Sequence, residues 1–150
     1  MYRPITLLVA TLTLASSLRV LAQTVTTLAY DPIYDNAALS LNRVACSNGT
    51  NGLETKNPNY TTLGSLPIYP DVGGAYTVSG WDSTECGTCY AVTFENVTIN
   101  ILALDVSKTG FTVSQAAMNT LTGNQAAALG RVNVSFVSVP SSTCGVSTSS

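Results

Sequence analysis

The run Cys86-Gly87-Thr88-Cys89 places two thiols three positions apart, the spacing at which cysteine chemistry is most often catalytic. In a βαβ setting such a pair has one acidic thiol and exchanges disulfides. Two other cysteines, Cys46 and Cys144, offer the competing use, in which all four serve as structural cross-links. Asp105 is the second candidate. It ends the apolar stretch Ile99 to Leu104 and precedes the loop 106–110, where a carboxylate can face a groove. Its plainer role is to cap a turn. Hydrolysis of a glycosidic bond normally takes two carboxyl groups flanking that bond. Asp82 and Glu85 lie near the cysteine pair, but nothing in the sequence sets either against Asp105. The chain has no histidine, so it lacks the commonest general base and metal ligand. No metal and no cofactor is expected.

Aromatic rings are the other means of holding sugar, because flat pyranose faces stack on them and Tyr adds a polar tip. Tyr30, Tyr34, Tyr60, Tyr69, Tyr76 and Trp81 are spread over predicted loops and strand ends. Trp81, close to Cys86, reads as core. Asn48, Gly52 and Leu53 belong to an early polar, glycine-rich loop that could flank a shallow groove.

The elements that must position these residues are mostly strands. Thr88 to Phe94 alternates, and Glu95-Asn96 reads as a tight turn into Val97 to Leu104, giving a hairpin. Leu102 and Leu104 predict burial on both faces toward the end of the second strand. A third strand runs from Val132 to Val139, with a phase shift near Val137 that predicts a bulge. Thr24 to Ala29 is a further strand, with weaker ones near Val44 and Tyr76. Ser114 caps a short helix over Gln115 to Leu121, ended by Gly123, and Asn124 caps a second over Ala126 to Leu129. Loops occupy 47–52, 56–59 and 66–74. The sum is a small β-rich barrel with helical decorations.

The N-terminus bears on compartment. Arg3 precedes an uncharged apolar stretch from Ile5 to Ala15, and Val20-Leu21-Ala22 suits signal peptidase. Residues 1–22 are expected to be a secretory signal, too short and too interrupted to span a bilayer. The remaining 128 residues suit one domain, 23–146, with a flexible tail at 147–150. That product carries four basic and eight acidic side chains, a net charge of −4 with no basic patch for nucleic acid or an anionic membrane. Asn48, Asn59, Asn96 and Asn133 each begin an Asn-X-Ser/Thr sequon and are candidates for N-glycosylation. An occupied sequon must face water.

In an oxidising compartment four cysteines form two disulfides, and three connectivities are open. A Cys86–Cys89 bridge leaves Cys46 to pair with Cys144; the nested and crossed alternatives tie off long loops. A long bridge is worth about 4 kcal/mol in loop entropy, which favours long bridges without choosing their partners.

The ordered motifs carry a resemblance. Tyr30-Asp31-Pro32-Ile33-Tyr34-Asp35, Val44-Ala45-Cys46-Ser47-Asn48-Gly49 and Gly52-Leu53 open it. Thr62-Leu63-Gly64-Ser65-Leu66-Pro67, Val72-Gly73-Gly74 and Gly80-Trp81-Asp82-Ser83 continue it, followed by Cys86-Gly87-Thr88-Cys89 and Ala103-Leu104-Asp105. Gly110-Phe111, Ala128-Leu129-Gly130-Arg131-Val132 and Cys144 complete it. Together they resemble the cerato-platanin family of small secreted fungal proteins across nearly the whole mature chain. Tyr90 is a departure, since the family usually has Trp after the second cysteine of the pair.

The resemblance implies a mainly β fold, a six-stranded double-psi β-barrel like that of expansins, with two short helices and disulfides Cys46–Cys86 and Cys89–Cys144. It implies a secreted protein of the extracellular space or fungal cell wall, not an enzyme. Such a protein binds chitin or N-acetylglucosamine oligomers, loosens wall polysaccharides in the manner of expansins, and elicits plant defence through a plant receptor, with some self-association. The candidate ligand-binding residues are Asp105, Asn48, Gly52, Leu53, Tyr30 and Asp82. Two rival functions stand beside it: a surface-active, self-assembling wall protein that binds no soluble sugar, and a weak glycan hydrolase using Asp105.

Overall fold

A computed structural model describes residues 22–147. The expected signal, 1–22, lies outside the described residues but for its last position, and most of the expected tail lies outside them too. The chain forms β1 (Thr24–Tyr30), β2 (Val72–Ala75), β3 (Cys89–Phe94), β4 (Val97–Val106), β5 (Phe111–Val113) and β6 (Arg131–Val139). Three helices, α1 (Leu53–Lys56), α2 (Gln115–Thr122) and α3 (Ala126–Leu129), and several single 3-10 turns decorate them.

The six strands close into a barrel in the order β1-β5-β2-β4-β3-β6, so the expected six-stranded barrel is present. Two of its pairings, β1 with β5 and β2 with β4, are parallel; the other four are antiparallel. The β3–β4 hairpin forms as the alternation predicts, with Phe94 opposite Val97 and Glu95 in the left-handed region at the turn. Ile101, Leu102, Ala103 and Leu104 are all buried, because the barrel interior takes one face of β4 while the loops and helices cover the other.

The β3–β6 pairing runs in unbroken register from Thr93↔Ser135 to Cys89↔Val139, so the bulge expected near Val137 is not made there. The irregularity falls in β2, between Gly73 and Gly74. A Cβ on Gly73 would stand 2.3 Å from the Thr112 carbonyl oxygen, so close approach of β5 requires glycine at this point. The weak strand expected near Val44 is absent, and the one near Tyr76 is β2, ending one residue earlier.

Helix α2 starts and stops as its sequence dictates: Ser114 Oγ accepts from the Ala117 N–H, and Gly123 ends it in the left-handed region. Val113, Ala117, Met118 and Leu121 are all buried. Asn124 does not cap α3. The flanking residue is Gln125, and the first α3 N–H, on Ala126, donates instead to Asn119 Oδ1 of α2. Inside the barrel Tyr90, Phe111 and Phe136 meet edge to face with ring centroids 5.0 to 5.6 Å apart. Tyr90 therefore takes a core position, with its hydroxyl 2.7 Å from Thr77 Oγ1. Burial and the nearby Glu85 push its phenol above the ordinary tyrosine range.

Candidate functional site

The disulfides are Cys46–Cys86 and Cys89–Cys144, the pairing implied by the resemblance. Neither member of the close pair bonds the other. Each joins a distant segment, and among the described residues no cysteine is free. The oxidoreductase reading is thereby excluded.

Asp105 sits at the C-terminal end of β4, half-buried. Its Oδ2 accepts from the Tyr34 hydroxyl at 3.0 Å, and its Oδ1 accepts from the backbone N–H groups of Ala45 at 3.1 Å and Val106 at 2.8 Å. The carboxylate thus ties the 3-10 turn at Tyr34 and the turn leading into Cys46 to the barrel. It is a clamp between elements 60 and 71 residues distant in sequence. Removing it leaves the buried Tyr34 hydroxyl and the half-buried Ala45 N–H without their acceptor, so Asp105→Ala is expected to cost about 2 kcal/mol, read by urea unfolding.

Tyr34 is buried, and desolvation first, then the Asp105 charge, drives its phenol far above the usual tyrosine value. Raised in the folded state, this group gives stability in full below pH about 10. Stability falls as pH climbs past that point, because the unfolded chain releases the proton first. Tyr34→Phe is expected to flatten this alkaline decline in unfolding measured from pH 9 to 11. An unchanged slope would show that Tyr69 and Tyr90, both also raised, account for it.

A second cluster lies beside the Cys46–Cys86 bridge. Trp81 Nε1 donates to Asn48 Oδ1 at 2.9 Å. Asp82 Oδ1 accepts from the Asn51 N–H at 2.7 Å, and Asn51 Nδ2 donates back to the Asp82 carbonyl at 2.9 Å. Gly49 adopts φ +89° with its Cα against Asp82: a Cβ there would stand 2.7 Å from the carboxyl group. The two loops are therefore locked by three bonds and one glycine, and the disulfide staples their bases.

The indole they hold is 65% exposed, which corrects its assignment to the core. Its ring nitrogen is satisfied at the surface by the Asn48 side-chain carbonyl, and the bond fixes the ring without burying it. A fixed, open indole with an amide and a carboxylate beside it has the make-up of a sugar platform.

The structure brings Asn48, Asp82 and Gly52 together: a Cβ on Gly52 would stand 2.4 Å from the Asn48 Cα, while Asp105 and Tyr30 make their contacts elsewhere. Gly52 is buried where it leads into α1, and Leu53 is fully buried, so its side chain serves the core and lines no groove. Tyr30 ends β1, half-buried against the core, and leads to the turn that holds Tyr34. Sequence reasoning undervalued Trp81, although its position between Gly80 and Asp82 was a signal of a turn. Lys56 was also missed. Its ammonium donates to the Cys86 carbonyl, 2.6 Å away, and partial burial lowers its pKa.

A cleft of about 300 Å³ opens elsewhere, beside the β3–β4 turn, lined by Phe94, Val97, Leu121 and Leu129 with Glu95 at its edge. None of the candidate residues reaches it. Asn48, Asn59, Asn96 and Asn133 are all exposed, so each sequon meets the condition for occupancy. Among the described residues no helix is long and apolar enough to cross a membrane, and no cluster of three metal-ligating side chains occurs.

The family model for cerato-platanin matches residues 26–146. An allergen homologue from Arthroderma benhamiae is 50% identical over 119 residues, covering 79% of this chain; the chain spans 57% of that relative's length. The crystal structure of cerato-platanin 3 from M. perniciosa superposes with a TM-score of 0.76 at 46% identity, covering 81% of this chain and 98% of that one. The solution structure of the fungal elicitor cerato-platanin gives a TM-score of 0.69 at 45% identity, over 79% and 95% of the two chains.

Proposed function

The chain belongs to the cerato-platanin family, and from that premise we propose that it is a secreted, non-catalytic fungal protein that binds chitin-derived N-acetylglucosamine oligomers at Trp81. The observation that carries this reading is the exposed indole held open by Asn48, with Asp82 fixed alongside. A pyranose ring stacks on the indole, its acetamido and hydroxyl groups within reach of the surrounding amide and carboxylate. Binding to neutral sugar also suits a surface with few charges of either sign.

Hydrolysis is disfavoured by the use of Asp105. Its two oxygens accept three structural hydrogen bonds, and a general acid or base must be free to exchange a proton with substrate. Elicitation of plant defence follows by analogy with the relative described as a fungal elicitor. Loosening of wall polysaccharide would follow from competition of the Trp81 surface for glycan–glycan contacts.

The test is a titration of the unglycosylated protein with N-acetylglucosamine tetramer, followed by amide shifts and by tryptophan fluorescence. Saturable changes at Asn48, Asn51, Trp81 and Asp82 are expected. Their absence would overturn the reading and leave the surface-active wall protein, whose apolar cleft at Val97 and Leu129 would then be the surface to examine.

A further inference from the structure

Asn48 holds two positions at once. Its Oδ1 accepts the Trp81 Nε1 hydrogen, and its Nδ2 is the atom that the sequon Asn48-Gly49-Thr50 offers for glycosylation. These uses are compatible, because a glycosylated amide keeps its carbonyl oxygen as an acceptor. The bond to the indole therefore survives modification and sets the first sugar beside the ring. Asn48 and Thr50 are exposed and Trp81 is 65% exposed, so among the described residues the space beside the ring is open.

We propose that Asn48 carries an N-linked glycan whose first N-acetylglucosamine lies on Trp81, so that the protein's own modification covers its sugar platform. In the transfer, Asn48 Nδ2 gives up a proton to a base of the oligosaccharide transferase and forms a bond to C1 of the reducing-end N-acetylglucosamine. The C1–O bond to a polyprenyl-diphosphate donor breaks, and the diphosphate leaves with the electron pair. No oxidant or reductant is involved.

The blocking consequence rests on the carbohydrate-binding reading above; the placement of the glycan does not. A sugar tethered one residue from the ring has an effective concentration in the millimolar range or higher, about that of the free oligomer needed to displace it from a shallow site. The same stacking that would attract an external N-acetylglucosamine attracts the internal one first. Asn59, Asn96 and Asn133 are exposed sequons as well, but among the described residues the aromatic bond to a sequon amide is that of Trp81 to Asn48, so glycans at the other three leave the platform open. The unmodified chain is then the sugar-binding form, and the modified chain a covered one.

The chain's one tryptophan makes this directly measurable. The full chain is secreted from a glycosylating yeast as the parent, as Thr50→Ala, which removes the Asn48 sequon without touching Asn48, and as Thr61→Ala, which removes that of Asn59. Glycopeptide mass spectrometry reads occupancy, and acrylamide quenching reads access to the indole. Parent and Thr61→Ala should carry glycan at Asn48 and quench at least two-fold less than Thr50→Ala. Trimming the parent enzymatically to a single N-acetylglucosamine should preserve that protection. Thr50→Ala should also bind the tetramer at least ten-fold more tightly than the parent.

An unmodified Asn48, or equal quenching in parent and Thr50→Ala, overturns the proposal. Protection in the parent with no tetramer binding by either form supports the cover and removes the carbohydrate-binding reading instead.

Discussion

Replacing Cys89 and Cys144 together by alanine lowers the stability of the folded protein by about 4 kcal/mol. That bridge closes 55 residues of chain, and the Cys46–Cys86 bridge closes 40, so loop entropy makes their contributions nearly equal. Against a total stability of roughly 5–15 kcal/mol for a domain of this size, either loss is large. It corresponds to a fall of about 10–20 °C in Tm. The two bridges differ in what else they hold. Cys89 opens β3 and Cys144 closes the 3-10 turn after β6, so their bond pins that turn to the barrel wall. Cys46–Cys86 underlies the Trp81 loops. Its removal should therefore cost the platform as well as stability, whereas removal of Cys89–Cys144 should leave tetramer binding intact below the new Tm. Calorimetry and titration of the two double variants check this. Equal loss of binding in both would show that the platform depends on the barrel as a whole and not on the staple beneath it.

Trp81→Ala weakens binding of N-acetylglucosamine tetramer to the unglycosylated protein at least ten-fold and moves Tm by only a few degrees. The asymmetry follows from exposure. Most of the ring is already in water, so its loss creates no cavity, and the one bond it makes is at the surface. Binding, in contrast, loses the flat face on which the sugar stacks. Trp81→Phe should recover part of the affinity, since the face is kept but the Asn48 bond that orients it is not. A Trp81→Ala protein that bound as tightly as the parent would move the sugar site away from this loop, toward Tyr30 and the Asp105 end of the barrel.

The parts of the fold that were legible in the sequence are those whose cause is local. The β3–β4 hairpin follows from alternation on either side of Glu95-Asn96, and α2 from the Ser114 cap and the Gly123 stop. Strand β5 was not legible. It has three residues, Phe111 to Val113, and is a strand only because β1 and β2 pair with its two edges. Strand β2, with two glycines among its four residues, has no intrinsic preference for extension and is likewise made by its neighbours. Helix α1 is one turn long and was read as the margin of a loop.

The site divides in the same way. Asn48 and Asp82 were singled out from their loops, but their meeting depends on a disulfide pairing that spacing alone left open. Nearness to Cys86 suggests burial for Trp81, whereas its loop holds it at the surface, bonded to a side chain 33 positions away that no local pattern connects to it. Asp105 was chosen for its place at a strand end, and its role as a clamp depends on Tyr34, which no local pattern connects to it.

The first and last strands of the barrel lie side by side, Thr24 opposite Phe136 and Ala29 opposite Arg131. A barrel closed in this way leaves no open sheet edge among its six strands. Cutting away either strand would strip a neighbour on both of its sides and leave raw edges that recruit other chains. Proteolysis that reaches β1 or β6 therefore destroys the barrel, and soluble fragments lacking either strand should not accumulate. The circuit that makes the fold hard to read from one end of the chain also makes it hard to dismantle from either.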